Sequence, residues 1–302
     1  MKNYTSEFLS YFNGKKIIIA GCNGYIGREL SNQLEINNIE YIGIDKTLTK
    51  KNSSLHFNLM DSKIIQDLVS KEKPDYFFHF ATHSALEYKN NFLRAFYEDN
   101  AALYNIIYSL KQNINTKLIY FSSSYVYSGL DIKNTVDEET ILAPCHNFGL
   151  AKMFFEQMIL REYSNNIIFR LSSVFGEGNY LHPNAIEVMT KEAIKNNTLT
   201  VWGYGKRKMQ YVFLNDVVKN IIALSGVSSG IFNLCSNSYS TVKDTATFIA
   251  NYFNAEIKIL NNKIEGDTLP FMENKKIIKV VKNNLFSNFK ESLKTYLSKK
   301  SE

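Results

Sequence analysis

The 302-residue sequence has few of the features that mark secreted, membrane or nucleic-acid-binding proteins. It contains three cysteines, and this odd, widely spaced set is neither a disulfide framework nor a metal site. No apolar stretch approaches the roughly 18–20 residues that span a bilayer. The net charge of +6 comes from scattered lysines and arginines, which we interpret as solvated surface. These absences predict a cytoplasmic protein that binds no metal, no membrane and no nucleic acid.

What the chain has instead is a regular alternation of short apolar runs and helical stretches through its first half. Apolar runs of five or six residues occur at 16–20, 41–45, 76–81, 117–122 and 166–171. Such runs indicate strands covered on both faces, and strands that alternate with helices indicate a parallel sheet. We therefore predict an α/β fold, a Rossmann-type doubly wound parallel sheet, in residues 1–172. Residues 173–302 are predicted to form mainly a smaller α+β substrate lobe, with some segments returning to the sheet.

A glycine loop joins the first predicted strand to a helix that is predicted to begin at Gly27 and end at Leu34. Its sequence is Gly21-Cys22-Asn23-Gly24-Tyr25-Ile26-Gly27. Three glycines here allow a tight turn, close approach of the backbone to a pyrophosphate, and close packing of the helix on the strand. The start of the helix adds free N–H groups and a partial positive charge for the phosphates. We predict that this loop binds NAD through Gly21, Asn23, Gly24, Tyr25, Ile26 and Gly27.

The end of the second predicted strand favours NAD over NADP. Asp45 lies there, 18 positions after Gly27. A carboxylate at this place accepts hydrogen bonds from the ribose hydroxyls of NAD and repels the additional phosphate of NADP. The neighbouring Lys46 is a counter-signal, because a cation tolerates that phosphate.

Three later stretches, together with the glycine loop, carry a family resemblance. They lie at 121–127, 147–152 and 170–176 and read FSSSYVY, NFGLAK and RLSSVFG. In this order and spacing, nearly the whole chain resembles the extended short-chain dehydrogenase/reductases that modify nucleotide sugars. The resemblance implies an NAD-dependent enzyme in which a Ser or Thr, a Tyr and a Lys act on a sugar hydroxyl. The tyrosine exchanges the proton of that hydroxyl, and the lysine stabilises its phenolate and holds the nicotinamide ribose.

Transferred to this sequence, the catalytic set is Ser123, Phe148 and Lys152, with Ser124 as the alternative serine. The tyrosine position therefore holds Phe148, whose ring cannot exchange a proton. One explanation is a deliberate exchange of Tyr for Phe that traps a complex, and another is a natural binding protein without catalysis. The third is a natural enzyme that uses another group, such as Tyr125, His146 or Cys145.

The resemblance implies further cofactor contacts. Where the family has an Asp that accepts from the adenine amino group, this chain has Asn58, followed by Leu59. Asn100, on the long predicted helix, matches a position that braces the site, with an exposed helix residue as the alternative interpretation. After the fourth strand, three consecutive residues are expected to line the cofactor: Phe80, Ala81 and Thr82.

Acidic residues that some members of this group carry are missing from this chain, and this narrows the choice of reaction. Dehydratases of this group carry an Asp-Glu pair where the chain has Ser124 and Tyr125, and decarboxylating members carry a Glu at the second position. The chain is therefore predicted to be a C4 dehydrogenase or reductase of a nucleotide-activated sugar, with a 4-epimerase as the alternative. Such enzymes supply activated sugars for the synthesis of bacterial surface polysaccharides.

The partners expected from the resemblance are a nucleotide sugar and a second copy of the chain. Ser124, Ser173 and Arg207 are predicted to contact the substrate, Arg207 because a guanidinium suits a diphosphate. A solvated surface charge is the alternative for Arg207. The homodimer is expected to pair the helix at 91–112 and the helix that carries Lys152 across a two-fold axis.

Overall fold

The computed structural model describes residues 8–47, 55–178, 183–227 and 229–301. Its strands are β1 (Ile17–Ala20), β2 (Ile42–Asp45), β3 (Leu55–His56), β4 (Tyr76–His79), β5 (Lys117–Ser123), β6 (Thr135–Val136), β7 (Asn166–Leu171), β8 (Ser173–Phe175), β9 (Thr198–Trp202), β10 (Lys208–Met209), β11 (Tyr211–Phe213), β12 (Gly230–Leu234), β13 (Ser240–Thr241), β14 (Glu256–Leu260) and β15 (Phe271–Met272). Its α-helices are α1 (Tyr25–Ile36), α2 (Ser62–Glu72), α3 (Ala85–Asn90), α4 (Phe92–Leu110), α5 (Asn147–Glu162), α6 (Ala185–Asn196), α7 (Leu214–Ser225), α8 (Val242–Phe253), α9 (Lys275–Val281) and α10 (Phe289–Lys300). Short 3₁₀ helices lie at Ser10–Phe12 and Ser124–Tyr127.

Seven strands form one parallel sheet in the order β12-β7-β5-β4-β1-β2-β3. The order reverses at β1, which pairs with β2 on one side and β4 on the other. In parallel sheets of this kind, ligands bind at such a switch point, beyond the carboxyl ends of the strands. The predicted Rossmann-type α/β fold is confirmed. The fold also places the glycine loop, which follows β1, at the switch point.

Both faces of this sheet are covered by helices, which explains the unbroken apolar runs in the sequence. Alternate residues of β1 enter two different apolar clusters. Ile17 and Ile19 pack with side chains of α1 and α7, whereas Ile18 and Ala20 pack with side chains of α2, α4 and α5. Because the side chains of a strand alternate between its faces, four consecutive apolar residues are needed here.

Much of the chain after β7 forms smaller α+β structure. Three two-stranded pairs lie there, β8 with β11, β9 with β14 and β10 with β13. Helices α6, α8 and α10 contribute to a third apolar cluster that also includes Leu199 and Tyr211. β12 pairs with β7 and so belongs to the large sheet. The division of the chain into 1–172 and 173–302 stays a prediction. No helix within the described ranges is long and apolar enough to span a membrane.

Candidate active site

The glycine loop is so tightly packed that side chains cannot fit at two of its positions. Gly21 has a φ of +82°, in the left-handed region that favours glycine, and a Cβ there would lie 2.7 Å from the backbone nitrogen of Ala81. A Cβ at Gly27 would lie 2.2 Å from the carbonyl oxygen of Gly21. Helix α1 begins at Tyr25, two residues before the predicted Gly27, because Gly24 is extended and occupies the N-cap. Because no side chain caps the start of this helix, it fits the pyrophosphate of a dinucleotide.

The other side chains of the loop are held by neighbouring elements. Asp45, at the end of β2, accepts hydrogen bonds from the backbone N–H groups of Asn23 at 3.0 Å and Thr47 at 2.8 Å. The Asn23 side chain donates to the Thr47 carbonyl at 2.6 Å. Tyr25 packs its ring against the chain after β8, and Ile26 packs against the apolar cluster around α1 and α7. The Asp45 carboxylate is thus fixed beside the loop.

The contacts predicted for the adenine end occupy a turn after β3. The side-chain oxygen of Asn58 accepts from the N–H of Met60 at 3.1 Å. Leu59 is half-buried, and its carbonyl oxygen accepts from the amide of Asn105 at 3.0 Å. An amide oxygen has a second lone pair, so Asn58 can still accept from a ligand.

Lys152 is a charged group of the site that is almost completely buried. Its ammonium donates to the Thr82 hydroxyl at 3.1 Å, the Tyr120 hydroxyl at 3.2 Å and the Phe121 carbonyl at 2.9 Å. The residue is 2% exposed, and burial lowers the pKa of its amine from 10.5 to about 8. The residues after β4 predicted to line the cofactor therefore include a direct partner of Lys152. The sequence did not single out Tyr120, because it lies inside a buried apolar strand.

Phe148 lies in the first turn of α5 and brings an apolar ring to the tyrosine position. The Lys152 nitrogen is 5.5 Å from the centre of this ring. The rings of Tyr88 and Tyr125 lie 5.6 Å and 5.9 Å from it, centre to centre. The structure thus places the ring of residue 148 beside Lys152 and offers no hydroxyl at that residue.

A buried carboxylate beside these residues was not predicted from the sequence. Asp99, on α4 and 4% exposed, accepts from the Tyr88 hydroxyl at 2.8 Å and from the backbone N–H of His83 at 3.1 Å. Its oxygen also lies 2.7 Å from Nδ1 of His83, and this hydrogen bond raises the pKa of His83. Asn100, the residue predicted to brace the site, lies next to it and is half-buried. Asp99 therefore anchors the segment that follows Thr82.

A second buried network lies beneath the end of β5. Arg170 of β7 forms an ion pair with Glu156 of α5 at 2.7 Å, and the two side chains are 4% and 0% exposed. The Ser122 hydroxyl donates to the same carboxylate, and Arg170 donates to the Tyr127 hydroxyl at 2.6 Å. Ser122 precedes Ser123 directly, so this ion pair supports the strand end that carries the predicted catalytic serine.

The predicted substrate contacts line one cavity of about 140 Å³ between the sheet edge and the chain that follows β7. Arg207 is half-buried there, and its Nε donates to the carbonyl of Asp267 at 2.8 Å. Asp267 comes from a loop without a recognisable motif, which explains why the sequence did not indicate it. The predicted residues brought together are Ser123, Ser124, Ser173 and Arg207.

Comparison with known proteins agrees with this arrangement. Residues 17–235 match the NAD dependent epimerase/dehydratase family. The chain belongs to that family. NAD is the cofactor of this family, as the sequence predicted, and the glycine loop with Asp45 fits it.

Individual relatives are distant and differ in their names. The chain is 26% identical over 274 residues to dTDP-D-glucose 4,6-dehydratase of Dictyostelium discoideum, covering 78% of the chain but 62% of that relative. It is 24% identical over 250 residues to methionine adenosyltransferase 2 subunit beta of Rattus norvegicus, covering 80% of the chain and 72% of the relative. The structure of a Thermotoga maritima UDP-glucose 4-epimerase with UDP-glucose superposes with a TM-score of 0.85 at 19% identity. That match covers 95% of this chain and 100% of the other.

Proposed function

We propose that this family member is an NAD-dependent oxidoreductase that acts at C4 of a nucleotide-activated sugar. The observation that carries the proposal is the shared cavity, which Ser123, Ser124, Ser173 and Arg207 all line. The serine hydroxyl groups suit a sugar, and the guanidinium suits a diphosphate. The absence of a carboxylate at residues 124 and 125 favours oxidation or reduction over dehydration.

Each part of the cofactor has residues that suit it. The start of α1, after Gly24, would hold the pyrophosphate, and Asp45 would accept from the adenosine ribose. Lys152 would hold the nicotinamide ribose by exchanging one of its three protein hydrogen bonds, such as the one to the Thr82 hydroxyl, for a bond to the ribose. NAD, when bound, supplies the acceptor or donor of hydride. Ser123 would orient the sugar hydroxyl, and because Phe148 exchanges no proton, another group must do so.

A 4-epimerase is the second enzymatic candidate. It is supported by the likeness to a protein named UDP-glucose 4-epimerase, and it would use the same residues. The two activities differ in their products, because epimerisation inverts the sugar at C4 without net formation of NADH.

A non-catalytic protein that binds NAD or a nucleotide sugar is the third candidate. Phe148 favours it directly, since its ring packs beside Lys152 without a hydroxyl. The chain is also similar to a protein named as a subunit of methionine adenosyltransferase, a name that states no reaction of a sugar.

Phe148→Tyr is the experiment that separates these candidates. Wild type and variant are mixed with NAD and with UDP-, dTDP-, GDP- or CDP-linked sugars, and NADH formation and sugar products are measured. An oxidoreductase forms NADH and a keto-sugar, and the variant should be faster. An epimerase forms an inverted sugar without NADH. If both forms bind NAD and neither changes any sugar, the oxidoreductase proposal is wrong.

We also propose that the protein is a homodimer that supplies activated sugars for bacterial surface polysaccharides, in the cytoplasm. Large side chains are exposed on one face of α4 and on the first half of α5, which suits burial against the same helices of a second copy. Light scattering should give twice the chain mass, and Tyr104→Glu should return it to the mass of one chain. The exposed side chains are Leu93, Tyr97, Tyr104, Tyr108, Leu150 and Phe154.

A further inference from the structure

The cavity beside Phe148 contains a phenol that is free to meet a ligand. Two tyrosines line it, Tyr125 and Tyr239. The Tyr239 hydroxyl donates to the carbonyl of Leu269, and burial raises its pKa to about 12. The Tyr125 hydroxyl has no hydrogen-bond partner among the residues that the structure describes. Of the two phenols, Tyr125 is therefore the one available to exchange a proton with a bound sugar.

Tyr125 also lies between the serine and the ring at which the hydroxyl is missing. Its backbone N–H donates to the Ser123 hydroxyl at 3.3 Å. Its ring meets the Phe148 ring edge to face, with centres 5.9 Å apart and planes at 73°. The ring of His146 packs on Tyr125 at 5.3 Å, and its Nε2 lies 3.3 Å from Asp267. Tyr125 is thus held by contacts on its ring, while its hydroxyl has no partner within the described ranges of the chain.

The other candidate groups near the cavity have protein partners or keep their proton. His146 is one of them, since its Nε2 lies 3.3 Å from the Asp267 carboxylate. All three donors of the Lys152 ammonium are used by protein oxygens. The Arg207 guanidinium keeps its proton at any working pH. The Cys145 thiol donates to the Ser128 carbonyl at 3.1 Å. None of these groups is as well placed as Tyr125 to exchange a proton with a ligand.

We propose that Tyr125 is the acid–base residue of this site and replaces the hydroxyl missing at Phe148. The proposal rests on the oxidoreductase function proposed above. In reduction, the O–H bond of Tyr125 breaks, its proton moves to the sugar carbonyl oxygen, and the carbonyl carbon receives hydride from NADH. In oxidation, the sugar hydroxyl gives its proton to the Tyr125 phenolate, and the carbon gives hydride to NAD⁺. Both directions balance without a further reactant.

The test compares four forms of the full chain: wild type, Tyr125→Phe, Phe148→Tyr and the double variant. Each is assayed for NADH and keto-sugar with UDP-glucose, dTDP-glucose, GDP-mannose and CDP-glucose. Tyr125→Phe should slow the wild type about 100-fold or more, as loss of an acid–base group does. In the Phe148→Tyr background the same exchange should cost less than about threefold, because residue 148 then exchanges the proton and the two changes are not additive.

A control and a second readout separate chemistry from folding. Tyr252→Phe removes a phenol on α8, 37% exposed and outside the cavity, and should keep the wild-type rate. Calorimetry measures the binding of NAD and of UDP-glucose to each form. Tyr125→Phe should bind NAD within about twofold of wild type, because the glycine loop and Lys152 are unchanged.

Each outcome decides the proposal. A Tyr125→Phe variant with the wild-type rate overturns the role of Tyr125 and leaves the oxidoreductase function standing. Activity that is absent from the wild type and present only in Phe148→Tyr overturns it as well, since Tyr125 then replaces nothing. A Tyr125→Phe variant that loses NAD binding in parallel with its rate shows a structural role and also overturns it. If neither wild type nor Phe148→Tyr reacts while both bind NAD, the oxidoreductase function fails, and the Tyr125 proposal fails with it.

Discussion

Glu156→Gln should destabilise the protein far more than the same exchange at Glu162 on the same helix. Both carboxylates form ion pairs of similar length, 2.7 Å from Arg170 and 2.6 Å from Lys111. The Glu156 side chain is 0% exposed and the Glu162 side chain is 52% exposed. Glu156→Gln leaves the buried Arg170 guanidinium without its ion-pair partner, which costs about 3–5 kcal/mol.

The exposed pair is the matched control, because water and salt screen it and its loss costs less than about 1 kcal/mol. The two losses should therefore differ by about 3 kcal/mol in the free energy of unfolding. Urea titrations at pH 7, followed by far-UV circular dichroism, measure both variants against wild type. Equal losses of unfolding free energy in Glu156→Gln and Glu162→Gln would show that burial does not decide how much the ion pair contributes to stability. Glu156→Gln should also weaken nucleotide-sugar binding, because Ser122 shares the carboxylate and precedes Ser123.

Three further predictions concern the cofactor site. Gly27→Ala should weaken NAD binding at least about tenfold in calorimetry, because the new Cβ would lie 2.2 Å from the Gly21 carbonyl oxygen and the loop must move. Gln33→Ala, later in α1, is the control, and equal NAD affinities of the two variants would contradict the prediction. Asp45→Asn should weaken NAD binding and relax selectivity against NADP, so an unchanged ratio of the two affinities would count against the ribose contact. Lys152→Met should change how the free energy of unfolding depends on pH. Between the lowered pKa of Lys152, about 8, and its ordinary value of 10.5, the unfolded chain holds a proton that the native chain lacks. The free energy of unfolding of the wild type should therefore rise with pH relative to that of the variant, by about 3 kcal/mol in total. Parallel curves of unfolding free energy from pH 7 to 10 would refute the buried amine.

The cofactor half of the site could be predicted from the sequence because its determinants are local. Gly21 and Gly27 are six residues apart, and their spacing alone indicates the strand, turn and helix. The order of the strands follows from the same alternation, since a parallel sheet needs a helix between strands. Even there, α1 begins two residues earlier than predicted, because the extended backbone of Gly24 forms the cap.

The substrate half depends on contacts between distant parts of the chain. Arg207 meets the backbone of Asp267 across 60 positions, and the sequence pattern around either residue predicts nothing of this pair. The Asp99 network also depends on distant contacts. From the sequence alone, a carboxylate on a helix is predicted to be exposed to solvent, and only the packing of α4 on the sheet buries it.

By itself, then, the sequence determined a dinucleotide-binding parallel sheet and the Phe at the tyrosine position. Both follow from residue type and short spacing. Only the tertiary structure decided what surrounds Phe148. Three protein oxygens accept from the Lys152 ammonium, the Tyr239 hydroxyl has a partner, and the Tyr125 hydroxyl has none in the part of the chain that the structure describes. The physical reason is that a hydroxyl's availability depends on which donors and acceptors the folded chain brings within hydrogen-bond distance. No spacing along the chain records those distances.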